Sequence, residues 1–386
     1  MSLLLNMNLI PSQRHLFDIP DDIAYLNCAY LGPLSNTVVA ASRHGADRKA
    51  HPWEITSDDF FSENEIARAL FARIINASAD DIAITPAASY GVSVAARNLP
   101  LARGETVVLL AEQFPSNVYA WRESAEQAGA CIVTVARPED GDLTRAVIDA
   151  VDERTAIVAL PHCHWADGAL LDLVRIARRT REVEASLVLD VTQSAGVLPL
   201  DVQEISPDYL VTACYKWLLG PYSTGFLYVA PHLQEGRPIE FNWRARVGSN
   251  DFSGLVNYED IYLPGARRFD VGECANFHTM PALIAALEQI LEWGVDETAA
   301  TLSAYNAGIA ERAGALGLMS LGHDRRAGHF LGLRFPEGIP IKLLDILREA
   351  RVYVSVRGDS LRVTPHVYNT RADVDRLFEV LKLSIG

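Results

Sequence analysis

Lysine is scarce in this chain: only four occur among 386 residues, at positions 49, 216, 342 and 382. None follows a glycine, so no P-loop lysine exists to reach a nucleotide phosphate. No GxGxxG opens a helical pattern and no histidine is followed by glutamate, which removes the dinucleotide fingerprint and the HExxH zinc motif. Positive charge is short overall, with 34 Lys and Arg against 49 Asp and Glu, a net charge of −15 and a pI near 5.1. Nucleic acid and anionic membrane surfaces therefore have no electrostatic footprint to meet. No apolar run approaches the roughly 18 residues that a membrane span requires. The five cysteines, at 28, 131, 163, 214 and 274, form no CxxC and no metal-ligand cluster. An odd, scattered set of this kind fits free thiols in a reducing cytoplasm. The amino-terminal MSLLLNMNLI has no basic region ahead of Arg14 and reads as an extended arm, not as a signal peptide.

What is present is ordinary globular composition, 49% hydrophobic and 22% charged, in a length that suits two domains or a large one with a smaller partner. Short apolar runs near residues 82, 106, 131, 157, 187, 209 and 226, several separated by helical patterns, predict an α/β fold with a mixed, mostly parallel seven-stranded sheet. Ser35 offers an N-cap for a helix through Ala50, and a second helix is expected from Asp58 to Ile75. Long helices follow over 280–293 and 296–316. The remainder reads as a small α+β unit: strand 329–335, helix 341–350, strands 352–356 and 361–364, helix 371–385. The larger unit is placed at 16–270, and the smaller one at 271–386 together with the arm 1–15.

Two residues in LVLDVTQSAG and YLVTACYKWLLGPYSTGF stand out. Leu187-Val188-Leu189 ends in Asp190, the pattern of a buried parallel strand delivering an acid to its carboxyl edge. Lys216 follows the next strand and is flanked by Tyr215 and Trp217, so partial desolvation should lower its pKa and free the amine to attack a carbonyl. Such a pair suits pyridoxal 5'-phosphate (PLP): the lysine holds the aldehyde as a Schiff base and the acid keeps the pyridine nitrogen protonated. Lys49, Lys342 and Lys382 sit in polar or amphipathic stretches, where a solvated face is the natural home.

These two words resemble the class V aminotransferase family of fold-type I PLP enzymes, which includes cysteine desulfurases, kynureninases and isopenicillin-N-epimerase-like proteins. The resemblance implies that Asp190 meets the pyridine nitrogen, Gln193 the phenolic oxygen, and that Lys216 carries the cofactor. Pro86-Ala87-Ala88-Ser89 follows a strand and opens a helix, a ready phosphate cradle, and the matching family positions are Ala88 and Ser89. Phe114 matches an aromatic residue that stacks on the cofactor ring, and FPSN is closer to the kynureninase and epimerase branches than to desulfurases, which carry histidine there. Tyr215 resembles a phosphate-contacting tyrosine of the kynureninase branch.

The turn PHCHWADG could suggest zinc, but three ligands on one loop lack a fourth and the usual spacing. The family has a similar turn whose middle residue touches the pyridoxal oxygen, here His164 or Trp165. LGPLS resembles the family's N-terminal word, in which the backbone near Gly32 lines the substrate pocket. In LRVTPHVYNT, Arg362 would grip the substrate α-carboxylate, a bidentate contact that suits a planar guanidinium.

Residues 231–264 form a long loop which in the family crosses a dimer interface, implying a homodimer with shared active sites. Arg268 to Glu273 resembles a word ending in a phosphate-binding threonine. Glu273 departs from it, so that contact must come from elsewhere, with Asn276 or a backbone N–H as candidates. The implied activity is that of an aminotransferase on a small amino acid or amine. A PLP lyase or epimerase is the alternative, with a cysteine desulfurase or a catalytically idle PLP-fold protein behind it.

Overall fold

The computed structural model describes residues 9–385, so most of the amino-terminal arm lies outside the described residues. In chain order the strands are β1 (Ala24–Tyr25), β2 (Ile82–Thr85), β3 (Thr106–Leu110), β4 (Cys131–Val135), β5 (Thr155–Pro161), β6 (Ser186–Asp190), β7 (Tyr209–Ala213), β8 (Gly225–Val229), β9 (Leu331–Arg334), β10 (Val352–Tyr353), β11 (Ser355–Arg357) and β12 (Ser360–Val363). The helices are α1 (Asn36–Ala50), α2 (Ser62–Ile75), α3 (Ala88–Asn98), α4 (Tyr119–Ala128), α5 (Leu143–Ala150), α6 (Leu173–Glu182), the single turn α7 (Val202–Ile205), α8 (Met280–Trp293), α9 (Val295–Gly314), α10 (Leu343–Glu349) and α11 (Arg371–Ile385).

Seven strands form one sheet in the order β2-β8-β7-β6-β5-β3-β4, parallel except for β8, which runs antiparallel to both neighbours. This is the mostly parallel seven-stranded α/β sheet that the apolar runs predict. The apolar runs are nearly continuous because helices cover both faces of the sheet. Val108, Leu110, Val158, Leu160, Leu187, Leu189 and Leu210 pack on one face. The alternate residues Val107, Leu109, Ile157, Ala159, Val188 and Val211 pack on the other, as the two-residue period of a strand requires.

A separate core cluster joins β9, β10 and β12 to α10 and α11 through Leu331, Leu333, Leu343, Val352, Leu361, Leu377 and Phe378. Ala24 and Leu26 also belong to this cluster, because β1 pairs with β10. Met280, Leu283, Leu287 and Ile290 of α8 instead pack in the core beneath the large sheet. The amino-terminal side is tied to the carboxyl-terminal side by Arg14, whose guanidinium pairs with Asp373 at 2.9 Å.

Ser35 caps α1 as expected, its hydroxyl accepting from the Val38 N–H. The helix expected over 58–75 is broken: a short 3-10 turn at Asp58–Phe60 precedes α2, and Phe61 leaves helical geometry between them. Asp59 turns back to bond the Thr56 N–H and hydroxyl, while the Phe61 ring packs against Trp243 and Arg244. Those contacts hold the kink.

Candidate active site

All the chemistry-bearing turns leave the sheet at one edge. Residues 86–89 follow β2, residues 113–117 follow β3, residues 161–165 end and follow β5, residues 190–193 end and follow β6, and residues 213–216 end and follow β7. Those strands are mutually parallel, so their carboxyl ends converge, the place where open α/β sheets bind ligands. They enclose a cavity of about 280 Å³ lined by Ala88, Ser89, Phe114, Trp165, Asp190, Gln193, Tyr215 and Lys216, among others. An adjoining cleft is lined by Tyr30, Trp165, Lys216, Tyr222, Arg357 and Arg362.

Lys216 is 7% exposed. Its Nζ lies 5.4 Å from the centroid of the Phe114 ring and 5.6 Å from that of Tyr215. Burial lowers its pKa to about 8, against the pull of Asp190 and helped by Arg362 and Arg357. The amine is thus far closer to a neutral nucleophile than a solvated lysine at the same pH. Lys49, Lys342 and Lys382 are exposed.

The backbone around Lys216 is clamped. The Gly32 N–H donates to the Tyr215 carbonyl at 2.8 Å, and the Leu219 N–H donates to the Lys216 carbonyl at 3.1 Å. A Cβ on Gly32 would stand 2.1 Å from the Lys216 carbonyl oxygen, so only glycine permits this approach.

Asp190 is buried, and its Oδ1 accepts the Thr192 N–H at 3.0 Å. Gln193 is held at both ends: its Nε2 donates to the Ala29 carbonyl at 3.2 Å and its Oε1 accepts from Trp217 Nε1 at 2.8 Å. Its own carbonyl accepts from His329 Nε2 at 2.7 Å and from the Cys163 thiol at 3.4 Å. Burial pushes the His329 pKa down to about 3, so this histidine is a neutral strut.

At the start of α3, Ala87 supplies no capping side chain. The Ala88 and Ser89 N–H groups therefore stay open beside the cavity, and the helix dipole adds to their attraction for an anion. Gly91 lets this helix sit hard against the sheet, since a Cβ there would come 2.6 Å from Val211 Cγ1. Phe114 meets Trp165 edge-on, with ring centroids 5.4 Å apart.

The sequence pattern of the aminotransferase class-V family matches residues 53–377. The chain belongs to this family. It is 27% identical over 326 residues to the uncharacterized aminotransferase YcbU of Bacillus subtilis, covering 81% of each chain. It is 24% identical over 340 residues to isopenicillin N epimerase of Streptomyces clavuligerus, covering 83% of this chain and 84% of that one. In structure it is similar to the apo cysteine desulfurase of Thermococcus onnurineus NA1, with a TM-score of 0.83 at 18% identity, covering 98% of this chain and 99% of the other.

The cofactor of this class V enzyme is pyridoxal 5'-phosphate. The cavity fits it: a buried amine of depressed pKa, a buried carboxylate one strand away, two open N–H groups at a helix start, and aromatic walls. Lys216, Asp190, Gln193, Ala88, Ser89, Phe114 and Tyr215 are the residues that could hold it.

Two sequence expectations need correction. His164 does not reach the cavity. Its Nδ1 lies 2.7 Å from Arg137 Nη2 and its Nε2 3.3 Å from the Ala111 carbonyl. Pro161, Cys163 and Trp165 alternate toward the cavity, whereas His162 lines a different cleft and His164 turns away, so Trp165 is the residue exposed to a ligand. Gly32 itself does not line the pocket either; it supports the Lys216 loop from behind, and the adjacent Ala29, Tyr30 and Leu31 are the part of that segment that forms the wall.

Glu273 is exposed, and the Asn276 side-chain oxygen is occupied in accepting the N–H groups of His278 and Thr279 just ahead of α8. Arg362 is 1% exposed and reaches the adjoining cleft. Its Nε and Nη2 donate to the Ser355 hydroxyl and its Nη1 to the Trp165 carbonyl. Tyr222 and Arg357 are wall residues that local sequence did not single out. Tyr222 follows the lysine by six residues, and its ring centroid lies 4.6 Å from that of Tyr215.

Proposed function

We propose that this PLP enzyme is an aminotransferase acting on a small α-amino acid, with Lys216 as both cofactor anchor and proton carrier. The observation that carries the reading is the pairing, in one connected space, of Lys216 with Arg362, a buried guanidinium that has no carboxylate partner among the described residues. Burial and the neighbouring Arg357 lower the Arg362 pKa to about 9. A substrate carboxylate would relieve that cost by forming a bidentate, charge-assisted pair.

When bound, PLP supplies an electron sink for the bond broken at the substrate α-carbon. Arg362 holds the α-carboxylate, and the aromatic walls of Phe114 and Trp165 exclude water. Lys216, about half deprotonated near pH 8, would take the α-proton and, staying on that face, carry it to the cofactor carbon that the amine itself had held, the shift that transamination requires. Asp190 offers a buried negative charge across the cavity. No second group whose pKa is brought near neutrality lines either cleft among the described residues, which favours proton transfer on a single face over inversion. Cys163 is a poor candidate for a desulfurase nucleophile: its thiol is buried, bonded to the Gln193 carbonyl, and pushed up by burial.

The exposed apolar side chains Phe241, Val256, Tyr258 and Ile261 support a homodimer through the 231–264 loop, and the free thiols support a reducing cytoplasm. A single-turnover experiment with a panel of amino acids tests the activity. One keto acid per site, with no free ammonia, supports transamination. Keto acid with ammonia points to elimination, and an inverted product to epimerisation; either result overturns the reading.

A further inference from the structure

The β11–β12 hairpin carries two arginines. Ser355 lies directly opposite Arg362 in its register, and Arg357 lies opposite Ser360. Residues two apart on a strand share a face, so Arg357, Ser355 and Arg362 project from one side of the hairpin. Both guanidiniums lie against the same indole, Arg357 at 5.6 Å and Arg362 at 6.0 Å from the Trp165 ring. Both line the cleft that contains Lys216, and no carboxylate among the described residues lines that cleft.

Arg357 has no acidic partner within 4.0 Å among the described residues. The acids in the neighbouring cleft are already engaged: Asp167 with Arg137 at 2.7 Å, Glu112 with the same Arg137 at 3.3 Å, and Asp359 with Arg334 at 3.3 Å. Its Nη1 donates to the Val356 carbonyl at 2.7 Å, which leaves Nε and Nη2 free. The chain as a whole is strongly acidic, with a net charge of −15. Two unneutralised guanidiniums facing one small cleft call for two negative charges in the ligand.

We propose that Arg357 is a specificity-determining residue that binds a second carboxylate, so that the substrate is an amino acid with an acidic side chain. This rests on the reading of Arg362 as the α-carboxylate site. A carboxylate fits better than a phosphate, because a lone guanidinium fork with no helix N-terminus beside it matches one two-oxygen monoanion.

The probes are succinate and butyrate, equal in length and lacking an amine, titrated calorimetrically into the holoenzyme. Succinate should bind at least about tenfold more tightly, the scale of one added charge-assisted contact. Arg357→Gln should bring the ratio close to one by weakening succinate, and Arg362→Gln should weaken both ligands. If Arg357→Gln does not fold, Arg357→Lys, which keeps the charge but loses the fork, should still lower the ratio. Equal affinities in the unaltered enzyme, equal weakening of both ligands by Arg357→Gln, or tighter binding of 3-phosphonopropionate than of succinate would each overturn the proposal. Failure of the underlying cofactor reading shows separately, as the absence of PLP absorbance from the same preparation.

Discussion

Replacing Lys216 by methionine should stabilise the cofactor-free protein at neutral pH. The buried amine titrates at about 8 in the folded chain, against 10.5 when solvated. That displacement corresponds to roughly 3 kcal/mol, since each pH unit is worth about 1.4 kcal/mol. The sign follows from proton counts. Between pH 8 and 10.5 the unfolded chain binds the proton and the folded chain does not, so stability rises with pH across that window. Below pH 8 the penalty of keeping a charged amine buried is present in full.

The assay is urea unfolding of the apoprotein and of apo Lys216→Met at pH 7, 8, 9 and 10. Taking the difference between the two cancels the titration of every other group. The variant should be more stable by about 2–3 kcal/mol at pH 7, with the gap narrowing steadily toward pH 10. A gap that is independent of pH, or a wild-type protein more stable at pH 7, would refute the argument that burial depresses this lysine.

Gly32→Ala should displace the Lys216 loop, because the new methyl group would stand 2.1 Å from the Lys216 carbonyl. The expected outcome is a loss of about 2 kcal/mol or more and weakened PLP retention; normal retention and stability would remove Gly32 from its supporting role. Arg362→Gln should raise KM for amino acids by about a hundredfold while changing kcat far less, as expected for loss of a charge-assisted ground-state contact. A variant altered only in kcat would place Arg362 outside the carboxylate site. Cys163→Ser should leave single-turnover rates with amino acids within about threefold of the wild type, and loss of turnover would revive a thiol mechanism.

Asp190 and Lys216 were legible because an acid or amine at the end of a wholly apolar strand has little room to be anywhere but the carboxyl edge. The seven strands and their mostly parallel direction followed from the same runs, whereas their order in the sheet depends on pairings that no single run reports. His164 against Trp165 was not legible, since the choice depends on the phase in which the chain leaves β5, and one residue of slip exchanges the faces. Gly32 has its effect through backbone proximity to a loop nearly two hundred residues away, which no local pattern reports. Arg357 stayed hidden because its face is defined only by the Ser355↔Arg362 register of the hairpin. The kink at Phe61 likewise depends on Trp243 and Arg244, distant in sequence.

The central claim is that Lys216 is the residue that carries PLP. Borohydride reduction of the holoenzyme, followed by proteolysis and mass spectrometry, should place a single phosphopyridoxyl group on the peptide containing Tyr215-Lys216-Trp217. The label on Lys49, Lys342 or Lys382 instead, or no label after reconstitution with PLP, would contradict the account.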